Sequence, residues 1–171
     1  MTVVFETERL LFRLFTVEDA GLIYQLNLDP EVTRFTHDPI PSLDEARQVL
    51  ENNILPQYAL YNHGRWAVHL KPGLEFMGWC GLKFRAERKE VDLGYRFMKQ
   101  YWGKGYATEA AWNSARYGFE RLGLQRIVAW AEHGNTASLR VIEKCGMQYM
   151  GEEIIDGHPA KRYELSNPLV R

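Results

Sequence analysis

Gly103-Lys104-Gly105, continuing into Tyr106-Ala107-Thr108, stands where a stretch of strand period gives way to one of helix period. Glycine at such a turn lets backbone N–H groups approach a ligand closely, and the helix start behind it adds the positive end of its dipole. A pyrophosphate is the natural guest of that arrangement. The same glycines also suit a purely conformational turn, and on this stretch alone both readings stand. Two phosphate motifs are excluded by the letters. A Walker loop needs Ser or Thr after Gly-Lys, but Gly105 follows Lys104; a dinucleotide fingerprint needs a third glycine, and Thr108 stands in its place.

Other candidate groups lie on either side of this turn. Strand alternation places Asp92, Gly94 and Arg96 on one face and Val91, Leu93 and Tyr95 on the other. Asp92 is then either a proton acceptor or the partner of Arg96 or of a cation on a neighbouring strand. Asn135 is a helix N-cap in type and position, and Ser138 follows one turn in, as a hydrogen-bonded companion or as a proton donor. Glu109 falls in the first turn of a helix, where the dipole alone favours an acid, and reads as structural. His37, His63, His69, His133 and His158 have no ligand spacing, so no metal site is expected. Cys80 and Cys145 have neither zinc nor redox spacing and read as core residues.

The elements that must position these groups follow from periodicity and punctuation. Arg9 to Phe15 reads as a strand, and Thr16, with Asp19 three positions on, opens a helix that Asp29-Pro30 ends. Ser42-x-x-Glu45 is a full capping box for a second helix carrying Ala46, Val49, Leu50 and Ile54, with Pro56 as its stop. Trp66 to Leu70, Phe76 to Phe84 and Val91 to Phe97 form a predicted antiparallel meander. A helix from about Ala107 to Leu122 presents a face of small residues and stops at Gly123. A short apolar strand, Arg126 to Ala131, precedes the helix Thr136 to Lys144, which Gly146 stops. Met147 to Ile155 and Lys161 to Ser166 close the chain as a hairpin across Asp156-Gly157. A meander followed by a crossover implies a mixed sheet with helices on both faces.

Bulk properties narrow the classes. The 171 residues are 46% apolar and 25% charged, enough for one domain with its own core. Lys plus Arg number 21 against 22 Asp plus Glu, so nothing points to a nucleic-acid partner. The longest apolar run, Ile127 to Ala131, is far short of a membrane span, and Met1 to Phe15 lacks the apolar stretch of a signal peptide. A cytoplasmic enzyme or binding protein is the expectation.

Tyr101 to Ala110 resembles the acetyl-CoA loop of the GNAT superfamily of N-acetyltransferases. The superfamily pattern is Gln or Arg, two residues, Gly, one residue, then Gly or Ala; it maps onto Trp102, Gly105 and Ala107, with Trp departing at the first position. Trp there resembles the branch that contains ribosomal-protein N-terminal acetyltransferases. Thr7-Glu8-Arg9-Leu10, Asp92-Leu93-Gly94-Tyr95, Asn135 to Arg140 and Glu143 to Met147 are similar to that branch too, in the right order. The resemblance implies one N-acetyltransferase domain over residues 1–171. Its expected fold is mixed α/β: a mostly antiparallel sheet of about seven strands, flanked by four helices and splayed between the fourth and fifth strands.

By the same resemblance the co-substrate is acetyl-CoA and no metal takes part. Its pantetheine arm would lie along the exposed backbone of Phe97, Met98 and Lys99, and its pyrophosphate on the N–H groups of Gly103, Lys104, Gly105, Tyr106, Ala107 and Thr108. Asn135 would contact the arm and Ser138 would lie near the sulfur as proton source. An acid at the position of Asp92 recurs in the branch, usually as Glu, so Asp92 is the candidate base. His37 falls in the loop that lines the acceptor pocket, and His133 near its mouth. The acceptor is an amine, either a small molecule or a protein N-terminus. A non-catalytic CoA-binding sensor or interaction module is the alternative on the same fold, and the oligomeric state is not readable.

Overall fold

The longest strand, rich in buried residues, organises the molecule. A computed structural model describes residues 1–169, and among these it forms one eight-stranded sheet. Its strands are β1 (Val3–Glu6), β2 (Leu10–Arg13), β3 (Arg65–Leu70), β4 (Glu75–Arg85), β5 (Glu90–Phe97), β6 (Arg126–Ala131), β7 (Gln148–Ile155) and β8 (His158–Ser166). Spatial order follows the chain through β6 and then reverses to β8 and β7. All pairs are antiparallel except β5 with β6. The hairpin across Asp156-Gly157 forms as expected, both residues adopting positive φ (50° and 83°) as a two-residue turn of this hand requires.

One strand escapes the sequence reading. Val3–Glu6 is only four residues long and lies at the sheet edge against β2, too short for a period to register. It raises the count from about seven to eight, and the splay expected between the fourth and fifth strands lies between β5 and β6.

The helices are α1 (Ala20–Leu26), α2 (Leu43–Val49), α3 (Leu55–Tyr61), α4 (Tyr106–Glu120) and α5 (Thr136–Lys144). Thr16 does not open α1. Asp19 does, because its carboxylate is drawn back to the Thr16 N–H (2.7 Å) and to Arg13 (2.8 Å), which holds residues 16–19 as a turn. Ser42 caps α2 as expected, its Oγ accepting from the Glu45 N–H at 3.1 Å. Pro56 does not stop that helix. A π-helical segment, Leu50–Ile54, intervenes, and Pro56 occupies the first turn of α3, where no N–H is needed. The continuous α2–α3 rod makes four helical bodies among the described residues.

Two cores result, one per face of the sheet. Trp66, Leu10, Met77 and Leu82 pack beneath α4 and α5; Ile23, Leu50, Ala67 and Trp79 pack beneath α1 and the α2–α3 rod. Each such buried side chain contributes about 1.5–3 kcal/mol relative to exposure. The small-residue face of α4 lets it lie close on the sheet: a Cβ on Gly118 would sit 2.7 Å from Leu82 Cδ1. Cys80 and Cys145 are buried free thiols, each held protonated by burial, with pKa values pushed up to about 12 and about 11.

Candidate active site

The parallel neighbours β5 and β6 pair only at Asp92 and Val128 and then diverge, leaving a cleft. On the β5 side, the Met98 N–H donates to Met77 O at 2.9 Å and so belongs to β4. Alternation along an antiparallel pair turns the Phe97 N–H and C=O the other way, toward the cleft, and the Phe97 carbonyl there accepts from the Trp102 indole at 2.8 Å. Of the expected backbone edge of Phe97, Met98 and Lys99, the Met98 N–H is therefore already used within the sheet, while the Phe97 N–H faces the cleft. Lys99 begins a 3-10 turn with its ammonium 2.7 Å from Glu31.

The glycine turn closes the far end of the cleft. Gly103 and Gly105 have φ of 75° and 83°, and Gly105 is the residue that opens α4. Their conformation, not crowding, demands glycine, since a Cβ on Gly103 would meet nothing within 4 Å. The N–H groups from Gly103 to Thr108 have no backbone acceptor among the described residues, which leaves a row of donors at the positive end of a 15-residue helix.

Glu109, one turn in, does more than complement the dipole. It accepts from Thr7 Oγ1 (2.6 Å), the Arg9 N–H (2.9 Å) and Arg9 Nε (2.7 Å), while Arg9 Nη1 donates to the Lys104 carbonyl at 3.0 Å. Thr7 and Arg9 thus tie the N-terminal strands to the loop. This connects two segments that the sequence reading matched separately.

Ser138 and Asn135 fall where α5 opens onto the same cleft. Asn135 Oδ1 accepts from the Ser138 N–H at 3.3 Å, the expected cap. Ser138 Oγ lies 2.9 Å from the Tyr95 hydroxyl, a partner not anticipated as a site residue. The signal was present, because alternation already placed Tyr95 opposite Asp92. Burial pushes the Tyr95 phenol up to about 12 against the lowering effect of the Ser138 hydrogen bond, so the pair keeps its protons at neutral pH.

Asp92 faces the other side of β5 and is 3% exposed. Each carboxylate oxygen has its own guanidinium, Arg65 at Oδ1 and Arg85 at Oδ2. Arg65 also donates to the Gly81 carbonyl (2.8 Å) and the Asp92 carbonyl (3.0 Å). Glycine makes room for it: a Cβ on Gly94 would lie 2.5 Å from Arg65 Nη2. Burial would raise the Asp92 carboxyl, but the two cations outweigh it and hold it below the usual carboxylate range. Arg96 takes no part, being committed to Asn27 and Asp38. A carboxylate so engaged is a poor proton acceptor.

One cavity of about 930 Å³ joins these features. Phe97, Gly105, Asn135 and Ser138 line it, with Tyr106, Ala107 and Thr108 at the start of α4; Lys104 does not. On the other side of the sheet its wall includes Asp92, Trp79, Trp130 and His37. His133 lies outside this wall, exposed and 2.8 Å from Glu152. Sequence spacing gave no sign that His37, Glu132 and His158 meet: His37 Nε2 is 2.6 Å from Glu132 Oε1, and the two imidazoles stack at 3.9 Å.

An open sheet splayed at one parallel pair, with a glycine-opened helix presenting its free N–H groups to the splay, is the arrangement that the acetyltransferase resemblance implied. The chain belongs to the GNAT acetyltransferases: a family model of the acetyltransferase (GNAT) domain matches residues 9–148. The p20 protein of Bacillus licheniformis, described as an uncharacterized N-acetyltransferase, is 32% identical over 148 residues, covering 85% of this chain and 82% of that one. An Aspergillus fumigatus protein, FsC-acetyl coenzyme A-N(2)-transacetylase, is 34% identical over 137 residues, covering 74% of this chain and 57% of that one. Among solved structures, a GNAT-family acetyltransferase from Bacillus anthracis superposes with a TM-score of 0.80 at 25% identity, over 98% of this chain and 99% of that one. A ribosomal L7/L12 alpha-N-protein acetyltransferase in complex with coenzyme A shares the fold at 18% identity, with a TM-score of 0.82 over 96% and 97% of the two chains. The protein is an N-acetyltransferase dependent on acetyl-CoA. No helix among the described residues is long and apolar enough to cross a membrane.

Proposed function

We propose that the whole chain acts as one domain that transfers acetyl directly from acetyl-CoA to a primary amine, carried by a small molecule or a protein N-terminus. The observation that carries this reading is the row of unpaired N–H groups from Gly103 to Thr108, set at the end of a cleft that also holds Ser138 and the Phe97 backbone. Those donors suit a pyrophosphate, and the Phe97 edge suits the amide-bearing pantetheine arm. Asn135 caps α5 and borders the arm. Ser138, supported by the Tyr95 hydroxyl, protonates the departing thiolate. The Phe97 N–H takes the role of oxyanion donor in place of Met98, whose N–H is already used. Asp92 acts as a positioning residue that fixes Arg65 and Arg85 along the acceptor wall, in place of the base role expected for it.

Thermal melting with and without acetyl-CoA tests the binding half. At about 100 times its dissociation constant the ligand adds about 2.7 kcal/mol of stability. In a chain of this size that is roughly 5–11 °C in Tm. Gly105→Val, strained at its φ of 83°, should abolish the shift while Lys104→Ala keeps most of it. Equal shifts from ATP and NAD would mean a generic phosphate site. A panel of amines that includes N-terminal peptides and polyamines then identifies the acceptor.

A further inference from the structure

The reaction needs a proton acceptor for the amine, and with Asp92 clasped by two guanidiniums another group must serve. The other carboxylates on the cavity wall are mostly engaged as well: Glu31 with Lys99, Asp38 with Arg96 and Asp156 with Arg85. Glu45 lies exposed in the first turn of α2. Three residues from three separate parts of the chain remain together on that wall: His37 from the loop after α1, Glu132 just beyond β6 and His158 at the start of β8.

Four features hold His37, two at its backbone and two at its ring. Its backbone takes the left-handed conformation at φ 58°, which a non-glycine residue adopts only where the surroundings hold it there. Its N–H is tied to the Thr33 carbonyl at 3.0 Å, and its ring stacks on His158 with planes 15° apart. Nε2 faces Glu132 Oε1 at 2.6 Å. An ionised carboxylate only accepts, so neutral His37 carries its proton on Nε2 and leaves Nδ1 as a lone-pair acceptor. Nδ1 has no hydrogen-bond partner among the described residues. A carboxylate behind an imidazole fixes its tautomer and stabilises the imidazolium that forms, an arrangement that recurs wherever histidine serves as general base.

We propose that His37, oriented by Glu132 and covered by His158, is the general base of the acetyl transfer, acting from the acceptor side of the cleft. This rests on the transferase reading above. The incoming ammonium gives one proton to His37 Nδ1, and its freed electron pair forms the C–N bond at the thioester carbonyl. The tetrahedral adduct breaks the C–S bond. Ser138 protonates the thiolate and recovers a proton, through Tyr95 or directly, from the second N–H of the new amide. His37 returns its proton to solvent. The nitrogen loses two protons; one ends on sulfur and one in water.

The measurement is kcat/KM against pH for the full-length protein, with acetyl-CoA and an amine that the wild type accepts, alongside acetyl-CoA affinity by calorimetry. His37→Gln removes the proton-accepting nitrogen and should lower kcat/KM at pH 7 by about 10²–10⁴. The loss should fall mainly in kcat and shrink toward pH 9, where more of the amine is already neutral. Acetyl-CoA affinity should stay at the wild-type value. Glu132→Gln should give a smaller loss and move the acidic limb of the profile. Glu132 and His158 contact the ring, and the Asp38–Arg96 and Asp156–Arg85 pairs lie on the same cavity wall, so His158→Phe is measured too and should retain that limb. His133→Gln, outside the cavity wall, serves as the unchanged control. A folded His37→Gln protein with wild-type kcat/KM and profile overturns the assignment, as does loss of the limb in His158→Phe alone. A wild type that binds acetyl-CoA but acetylates no amine overturns the transferase reading itself and the base with it.

Discussion

Replacing Asp92 by Asn removes one negative charge from between two guanidiniums while keeping the shape of the side chain. Arg65 and Arg85 are themselves only 17% and 13% exposed, so water replaces the lost carboxylate poorly, and Arg85 alone keeps a second carboxylate, Asp156. Removing one member of a buried ion pair costs about 3–5 kcal/mol, because the surviving charge stays buried. For a chain of this size about 2–4 °C of Tm accompanies each kcal/mol, so the expected fall is roughly 6–20 °C. The pH dependence has a definite sign. The folded Asp92 carboxyl lies below its ordinary value of 3.8, so its contribution is complete above that value and is lost as acid protonates the folded state. Wild-type stability should therefore decline toward the variant's on acidification, and the gap should be widest near neutrality. Denaturant melts at several pH values measure this directly. A double-mutant cycle with Arg85→Gln should return a coupling energy of about 0.5–3 kcal/mol. The reasoning fails if Asp92→Asn melts with the wild type, loses activity at pH 7 and regains it at pH 9. That pattern would make Asp92 the proton acceptor and His37 redundant.

Two further outcomes follow from the cleft. Ser138→Ala should lower kcat by about 10²–10⁴, whereas Tyr95→Phe should lower it less; each loses the same hydrogen bond and should cost about 0.5–1.5 kcal/mol of stability. Stopped-flow detection of the free thiol separates this chemical step from binding, and unchanged kcat in Ser138→Ala would return that residue to a structural role beside the Asn135 cap. Glu109→Ala removes the acceptor of three hydrogen bonds from Thr7 and Arg9, a charged acceptor worth about 1.5–3 kcal/mol per bond at most, and it frees the N-terminal strands from the loop. Acetyl-CoA affinity by calorimetry should weaken with it although the Glu109 N–H is itself spent on the Gly105 carbonyl; undiminished affinity would mean the loop holds its shape without the tie.

Much of this protein was legible in one dimension because the relevant physics is local. The helix Thr136–Lys144 and the strand Arg126–Ala131 were bounded correctly from an Asn cap, a Gly stop and a short apolar run. The hairpin at Asp156-Gly157 and the Ser42 cap were equally plain, since each depends on a backbone preference of residues within a few positions. The glycine turn before α4 could be placed for the same reason, and its letters alone ruled out the Walker and dinucleotide alternatives.

What lay beyond reach depended on distant partners. Pro56 looked like a stop until a π-turn ahead of it supplied a position needing no N–H, and Met98 looked like free edge until Met77 claimed its amide. The charge of Asp92 was visible, but the two guanidiniums that decide its role arrive from β3 and β4, and the glycine that admits Arg65, Gly94, is meaningful only once the strands lie side by side. His37, Glu132 and His158 carry no mutual spacing at all. Their meeting is a product of the splayed sheet, which brings a loop, a strand end and a hairpin to one wall. Composition, caps and the glycine turn thus marked a phosphate-suited turn in the chain itself, and the resemblance of its motifs to a known family supplied the class of chemistry. The tertiary structure decided which groups are free to perform it, because proton affinity depends on neighbours that only folding assembles.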